Sequence, residues 1–263
     1  MLFIWKKLIS FKKYFKKTNR ELIRIQRIKR FSFGQTSKLF TNSVYFADSL
    51  SFIWQYNEIF QEEIYKFKNI NPNPVIIDCG ANIGLSIIFF KINYPNSHVI
   101  AFEPNPKIFK ICEKNIASFG IENVELYNFA LANREDKLLL NCEDADGSFL
   151  TENISIDTVT VKSVRLSNYI NTKIELLKID IEGAEYQVIK EVESKLELVS
   201  NIFIEYHSRF DKNQELHLIL DILSKQGYRY YITGTGIINS SPFIKRDLYN
   251  NYDNFLNIHA YRI

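Results

Sequence analysis

The 263 residues are 46% apolar, enough for the core of one large domain or of one domain with an extension. The net charge of +3 is uneven: residues 1–30 hold eleven Lys or Arg against the single acid Glu21, whereas the rest holds twenty-two bases against twenty-nine acids. Cys79, Cys112 and Cys142 are odd in number and share no close spacing, which excludes a disulfide framework or a zinc site and predicts a reduced, cytoplasmic setting.

Residues 1–30 predict a basic amphipathic helix. Ile4, Leu8, Phe11, Phe15 and Leu22 fall on one stripe, with Lys6, Lys13, Lys17, Arg20 and Arg24 opposite. Lys6 and Lys7 interrupt the apolar run too early for a signal-peptide core or a spanning helix. Such a helix suits peripheral contact with anionic lipid on the inner face of the membrane, or a docked partner; packing on its own domain fits the pattern equally well. Residues 31–74 read as an aromatic-rich lid, with a strand-like stretch over 39–46 and helical spacing from Ser51 through Glu58, Ile59 and Phe60. The turn cluster Asn71-Pro72-Asn73-Pro74 ends it and sets the main domain at 75–263.

That domain begins with the most informative stretch, Val75-Ile76-Ile77-Asp78-Cys79-Gly80-Ala81-Asn82-Ile83-Gly84-Leu85-Ser86. A β-branched run ends in an acid and two glycines, and an apolar helical segment follows, which predicts a strand, a tight turn and a helix N-terminus. The glycines are expected to clear the way for a ligand at the backbone. Asp-x-Gly-x-Asn-x-Gly lacks the G-x-G-x-x-G pattern that seats a pyrophosphate, which argues against NAD. An acid at the strand end suits instead the methionyl ammonium of S-adenosylmethionine. A second strand, 98–102, ends at Glu103, 25 residues after Asp78, where an acid accepts hydrogen bonds from ribose hydroxyls.

Asn105 and Pro106 then start a helix running through Ser118 and stopped by Gly120. A third strand at 123–128 leads into Ala130-Leu131-Ala132, so Asn128 and Ala130 are candidates for adenine contacts. An insertion follows, with strands around 137–140 and 158–161 flanking the polar loop 143–148. Ile174 to Ile179 is a buried strand surfacing at Asp180, with a helix expected from about Glu182; the strand 201–207 ends in Glu205 and His207, which alternation places on one side. Three titratable groups at one sheet edge predict the acceptor end, with Asp180, Glu205 or His207 as proton acceptor and a divalent metal on Asp180 and Glu205 as the alternative. After a helix ending at Gly227, strands near 228–232 and 256–261 pair as an antiparallel edge.

Asp78 to Gly84, Phe102-Glu103-Pro104, Leu177-Lys178-Ile179-Asp180-Ile181-Glu182-Gly183-Ala184-Glu185 and Ile204-Glu205-Tyr206-His207, in this order, resemble the FkbM family of S-adenosylmethionine-dependent methyltransferases over about residues 45 to 235. The resemblance implies a Rossmann-like class I methyltransferase fold, with a mostly parallel seven-stranded sheet, an antiparallel edge and here an N-terminal helical extension. It also implies methylation of a hydroxyl on a sugar, glycan or glycolipid precursor, as in polysaccharide biosynthesis, or on a small natural product. Donor binding then falls to Asp78, Gly80, Asn82, Gly84, Glu103, Asn128 and Ala130. Ser167 departs from the family, which often has an acid there. Asp180-Ile181-Glu182-Gly183 stands where a nucleic-acid amino-methyltransferase would carry an Asn/Asp-Pro-Pro-Tyr-like turn, so no nucleic-acid partner is expected. A non-catalytic partner protein built on the same fold is the remaining rival.

Overall fold

The computed structural model describes residues 20–142, 148–151, 157–235, 243–244 and 252–262. Its central sheet has seven strands: β1 (Val75–Cys79), β2 (His98–Phe102), β3 (Val124–Tyr127), β4 (Ile174–Ile179), β5 (Val199–Arg209), β6 (Arg229–Thr235) and β7 (Tyr252–Tyr261). They lie in the order β6-β7-β5-β4-β1-β2-β3, with β7 alone reversed. This is the mostly parallel Rossmann-like sheet with an antiparallel edge that the motifs imply. Its strands are apolar runs because helices cover both faces.

Strand alternation assigns each residue to a layer. Ile77, Cys79, Leu177, Ile179, Ile202 and Ile204 face one way and pack on Val188 and Ile189 of α4 (Glu185–Glu191) and Ile219 and Leu223 of α5 (Leu216–Lys225). Ile76, Leu176 and Phe203 face the other way, toward Phe52 of α1 (Ser49–Tyr56), Phe89 of α2 (Leu85–Asn93) and Ile108 of α3 (Pro106–Ser118). Asp78, Lys178, Glu205 and His207 share the parity of this second face. It therefore turns from apolar to ionisable as the strands approach their carboxyl ends.

Local chemistry sets the helix boundaries. Asn105 Oδ1 accepts the Lys107 N–H at 3.0 Å, Pro106 occupies the first helical position and Gly120 follows at φ +59°, as the sequence predicts for α3. α4 starts at Glu185 rather than near Glu182, because Glu182 (φ +57°) and Gly183 (φ +98°) form a left-handed turn that no α-helix can include. The stretch 39–46 yields only the short strand Tyr45–Phe46, paired with Gly34–Gln35. The insertion forms a separate sheet in the order Ala130–Leu131, Thr158–Val164, Lys137–Asn141, Phe149–Thr151; most of its predicted polar loop, 143–147, lies outside the described residues.

Most of the predicted N-terminal amphipathic helix, 1–19, also lies outside them. Residues 20–26 are helical and pack on their own domain: Ile25 is fully buried, and buried Glu21 accepts the Ser37 N–H at 2.6 Å while pairing with Arg24 at 2.8 Å. No described helix is long and apolar enough to cross a membrane.

Candidate active site

A cleft of about 1010 Å³ opens where β1, β2, β4 and β5 end, the edge at which open α/β sheets bind ligands. Of the predicted donor-binding residues, Gly80, Asn82, Glu103 and Ala130 line it; Asp78, Gly84 and Asn128 do not. Asp180, Glu205 and His207 all line it, at the ends of β4 and β5, which β1 and β2 separate from the β3 side that carries Ala130.

Asp78 sits deeper than the strand tip. The first strand runs one residue further, through Cys79, so Asp78 stays inside the sheet and is fully buried. Its Oδ2 accepts the Ser86 hydroxyl proton at 2.5 Å and its Oδ1 lies 3.0 Å from Lys178 Nζ, directly across in the β1–β4 register. The ammonium that this carboxylate satisfies comes from the chain itself. Lys178, 2% exposed, also donates to the Gly80 carbonyl at 2.8 Å and lies 3.3 Å from Asp180 Oδ2. Burial opposes its charge, but Asp78 and Asp180 hold the ammonium well above the usual lysine range, so it stays protonated. One buried cation thus ties the glycine loop to the end of β4.

Packing alone requires both glycines. A Cβ on Gly80 would lie 1.8 Å from the Asp180 carbonyl oxygen, and its φ is +87°. On Gly84, at φ +86°, a Cβ would meet Cys112 Sγ at 2.9 Å. Gly80→Ala is expected to destabilise the chain by more than about 2 kcal/mol, from left-handed strain plus a backbone clash, as read by chemical denaturation. The loop offers its amides: Asn82, at φ +49°, donates its N–H to Glu103 Oε2 at 2.9 Å, and Asn105 donates to Oε1 at 2.8 Å. Burial pushes the Glu103 carboxyl up to about 7 against these two amides. Each carboxylate oxygen keeps a lone pair for a ligand hydroxyl. Asn128 works behind this site, its amide donating to the Glu103 and Pro104 carbonyls at 2.8 and 3.0 Å.

At the other end, Asp180, Glu205 and His207 each bring one ligand-type atom within 4.8 Å of the others, a set able to hold a divalent cation. His207 is buried; its Nδ1–H donates to Glu185 Oε1 at 3.0 Å, and its Nε2 lies 3.6 Å from Glu182 and 3.9 Å from Glu205. Burial disfavours the imidazolium, yet Glu182, Glu185 and Glu205 raise its pKa well above the usual histidine range. Burial, then Asp180, raise Glu205 well above the ordinary carboxyl range. Tyr252 donates its hydroxyl to Glu182 at 3.2 Å and closes this end with Phe255.

Two charged residues here carried no role in the sequence reading. Lys178 stands in a strand buried at every position, where an unpaired ammonium is untenable; that was its signal. Glu58 lies just after α1, on the face of 49–61 that lines the cleft, in helical register with Ser51, Trp54 and Gln55. Ser167, by contrast, lies on a 3-10 turn away from the cleft, donating its N–H to Glu191 at 3.0 Å.

The model of the methyltransferase FkbM domain matches residues 78–230, more than half of the chain. The chain is similar to methyltransferase sdnD of Sordaria araneosa, at 29% identity over 57% of this chain and 73% of that protein. It is similar at 24% identity to 2-O-methyltransferase NoeI of Sinorhizobium fredii, over 58% of this chain and 72% of NoeI. With the 31-O-demethyl-FK506 methyltransferase FkbM of Streptomyces tacrolimicus it shares 27% identity, over 52% of this chain and 67% of the relative.

Proposed function

The chain belongs to the FkbM-domain family of methyltransferases and takes its methyl group from S-adenosylmethionine; on that footing we propose that it methylates a hydroxyl, on a sugar, glycan or glycolipid precursor. The observation that carries this reading is one cleft with Gly80, Asn82 and Glu103 along one side and a carboxylate-rich chamber at the far end. The donor lies with its ribose on Glu103 and its adenine toward Phe129, Ala130 and Leu131. Its sulfonium methyl then faces Asp180, Glu205 and His207. The acceptor oxygen displaces the thioether in line, so the protein chiefly aligns the reactants and takes up one proton. The 2-O and 31-O positions in the names of two relatives support oxygen as the acceptor atom. For a sugar speak the carboxylates, which accept from hydroxyls, and the aromatic rims Trp54, Tyr252 and Phe255, which stack on the apolar face of a pyranose.

Donor affinity tests the first half. A ribose diol donates two hydrogen bonds to Glu103, each worth on the order of 1.5 to 3 kcal/mol to a charged acceptor. Glu103→Ala is expected to weaken S-adenosylmethionine binding at least about tenfold in calorimetric titration, with the fold intact. The carboxyl titrates at about 7, and its anion is the better acceptor, so wild-type affinity is expected to be higher at pH 8 than at pH 6. In Glu103→Ala that pH dependence disappears. The second half is tested by incubating the chain with methyl-labelled donor and a panel of cell-envelope glycans beside small polyhydroxylated natural products. Label on a glycan hydroxyl is the expected result; label only on the small molecules replaces the glycan by that class, and label on nitrogen alone overturns the hydroxyl reading.

A further inference from the structure

The chamber around the acceptor holds more acids than the transfer needs, and their partners sort them. Asp180 is tied to Lys178 at 3.3 Å. Glu185 receives the His207 Nδ1–H, and Glu182 receives the Tyr252 hydroxyl. Glu205 faces His207 at 3.9 Å beside Asp180. His207 is hemmed in by carboxylates, with Glu185 at 3.0 Å from its Nδ1 and Glu182 and Glu205 at 3.6 and 3.9 Å from its Nε2.

Glu58 lines the same cleft from the segment before β1. After α1 the chain widens into a π-helical turn, Asn57–Gln61, in which the Glu62 N–H reaches back to the Asn57 carbonyl at 2.9 Å. Single π-turns of this kind are energetically unfavourable and recur at functional sites. The apolar face of the turn is held by buried Ile59 and by Phe60, whose ring packs on Phe40, Tyr56 and Phe89. Those anchors fix Glu58 on the cleft-facing side, and it lines the cavity with Asp180 and Glu205. Among the described residues no ion pair with Lys, Arg or His involves it.

From this placement we infer that Glu58, on the π-turn after α1, is the proton acceptor for methyl transfer; the inference rests on the hydroxyl-methylation reading. The acceptor oxygen forms a bond to the donor methyl carbon as the carbon–sulfur bond breaks. The sulfonium leaves as neutral thioether, and the hydroxyl proton passes to the Glu58 carboxylate, then to solvent. The groups facing Glu58 are Asp180 from β4, Glu205 from β5 and Glu62 on its own segment. Burial, then Asp180 and Glu62, push its carboxyl up to about 7, where a general base is most effective at neutral pH.

The test is the pH profile of methyl transfer by wild type and Glu58→Gln, with donor affinity and melting temperature measured on both. Wild-type kcat is expected to rise with pH through an inflection near 7. Glu58→Gln keeps its donor affinity and melting temperature, loses roughly 10²- to 10⁴-fold in kcat and shows no inflection there. A Glu58→Gln variant with kcat within about threefold of wild type and the same inflection overturns the inference alone. Failure of the wild-type chain to label any polyhydroxylated acceptor overturns the hydroxyl reading and this inference together.

Discussion

Lys178→Met is expected to cost about 3–5 kcal/mol of stability, the scale found when one partner of a buried ion pair is removed. Asp78 is fully buried, and without Lys178 its charge keeps only the Ser86 hydroxyl. The Gly80 carbonyl and Asp180 lose the same partner, so the glycine loop and the end of β4 come apart together. Thermal melts should show a drop of roughly 10 °C for a chain of this size. The sign with pH follows from the pair. In the wild type the raised lysine pKa keeps this stabilisation present throughout the neutral range, and it fades only as strongly alkaline pH removes the Lys178 proton. In the variant the penalty comes from a stranded Asp78 charge, so removing that charge as well should relieve it. Adding Asp78→Asn to Lys178→Met should recover much of the loss. A single variant that melts within about 2 °C of wild type would contradict the pairing.

Asp180→Asn keeps the shape of the side chain and removes its charge. Methyl transfer is expected to fall roughly 10²- to 10³-fold, the cost of removing one preorganised group that aligns and polarises the reacting atoms. Donor affinity should change little, because Asp180 ends β4, across β1 and β2 from the β3 side that carries Ala130, and it is the smallest of the influences on the Glu103 carboxyl. The same substitution removes a charge that raises the Glu58 carboxyl, so the acid inflection of the remaining activity should move below pH 7. If added magnesium or manganese restores turnover to the wild-type enzyme after chelation, the Asp180, Glu205 and His207 set also holds a cation. Unchanged turnover in Asp180→Asn would remove this residue from the chemistry.

The sheet and its site-bearing edge were legible because period-two alternation and turn chemistry are local signals. Val75 to Gly84 read as strand, loop and helix start, and the placement of Glu205 and His207 on one side followed from parity alone. What the sequence hid were pairings across distance. Asp78 looked like a ligand-binding acid at a strand tip because nothing local shows that Lys178, one hundred residues later, lies directly across from it in the register. Nor does the sequence show that Gly80 makes room for the Asp180 carbonyl and Gly84 for Cys112. Glu182 looked helical because propensity does not reveal a left-handed turn at a non-glycine residue. Glu58 sat in a recognisable helical stripe, but only the fold brings that stripe against the ends of β4 and β5.

The most direct test of the account is a crystal structure of the chain with S-adenosylhomocysteine bound, since the position of one sulfur atom decides the orientation of the whole reaction. The account predicts both ribose hydroxyls on Glu103 and the sulfur facing the chamber of Glu58, Asp180, Glu205 and His207, with space there for one acceptor hydroxyl. A ribose held away from Glu103, or a sulfur directed away from that chamber, would contradict it.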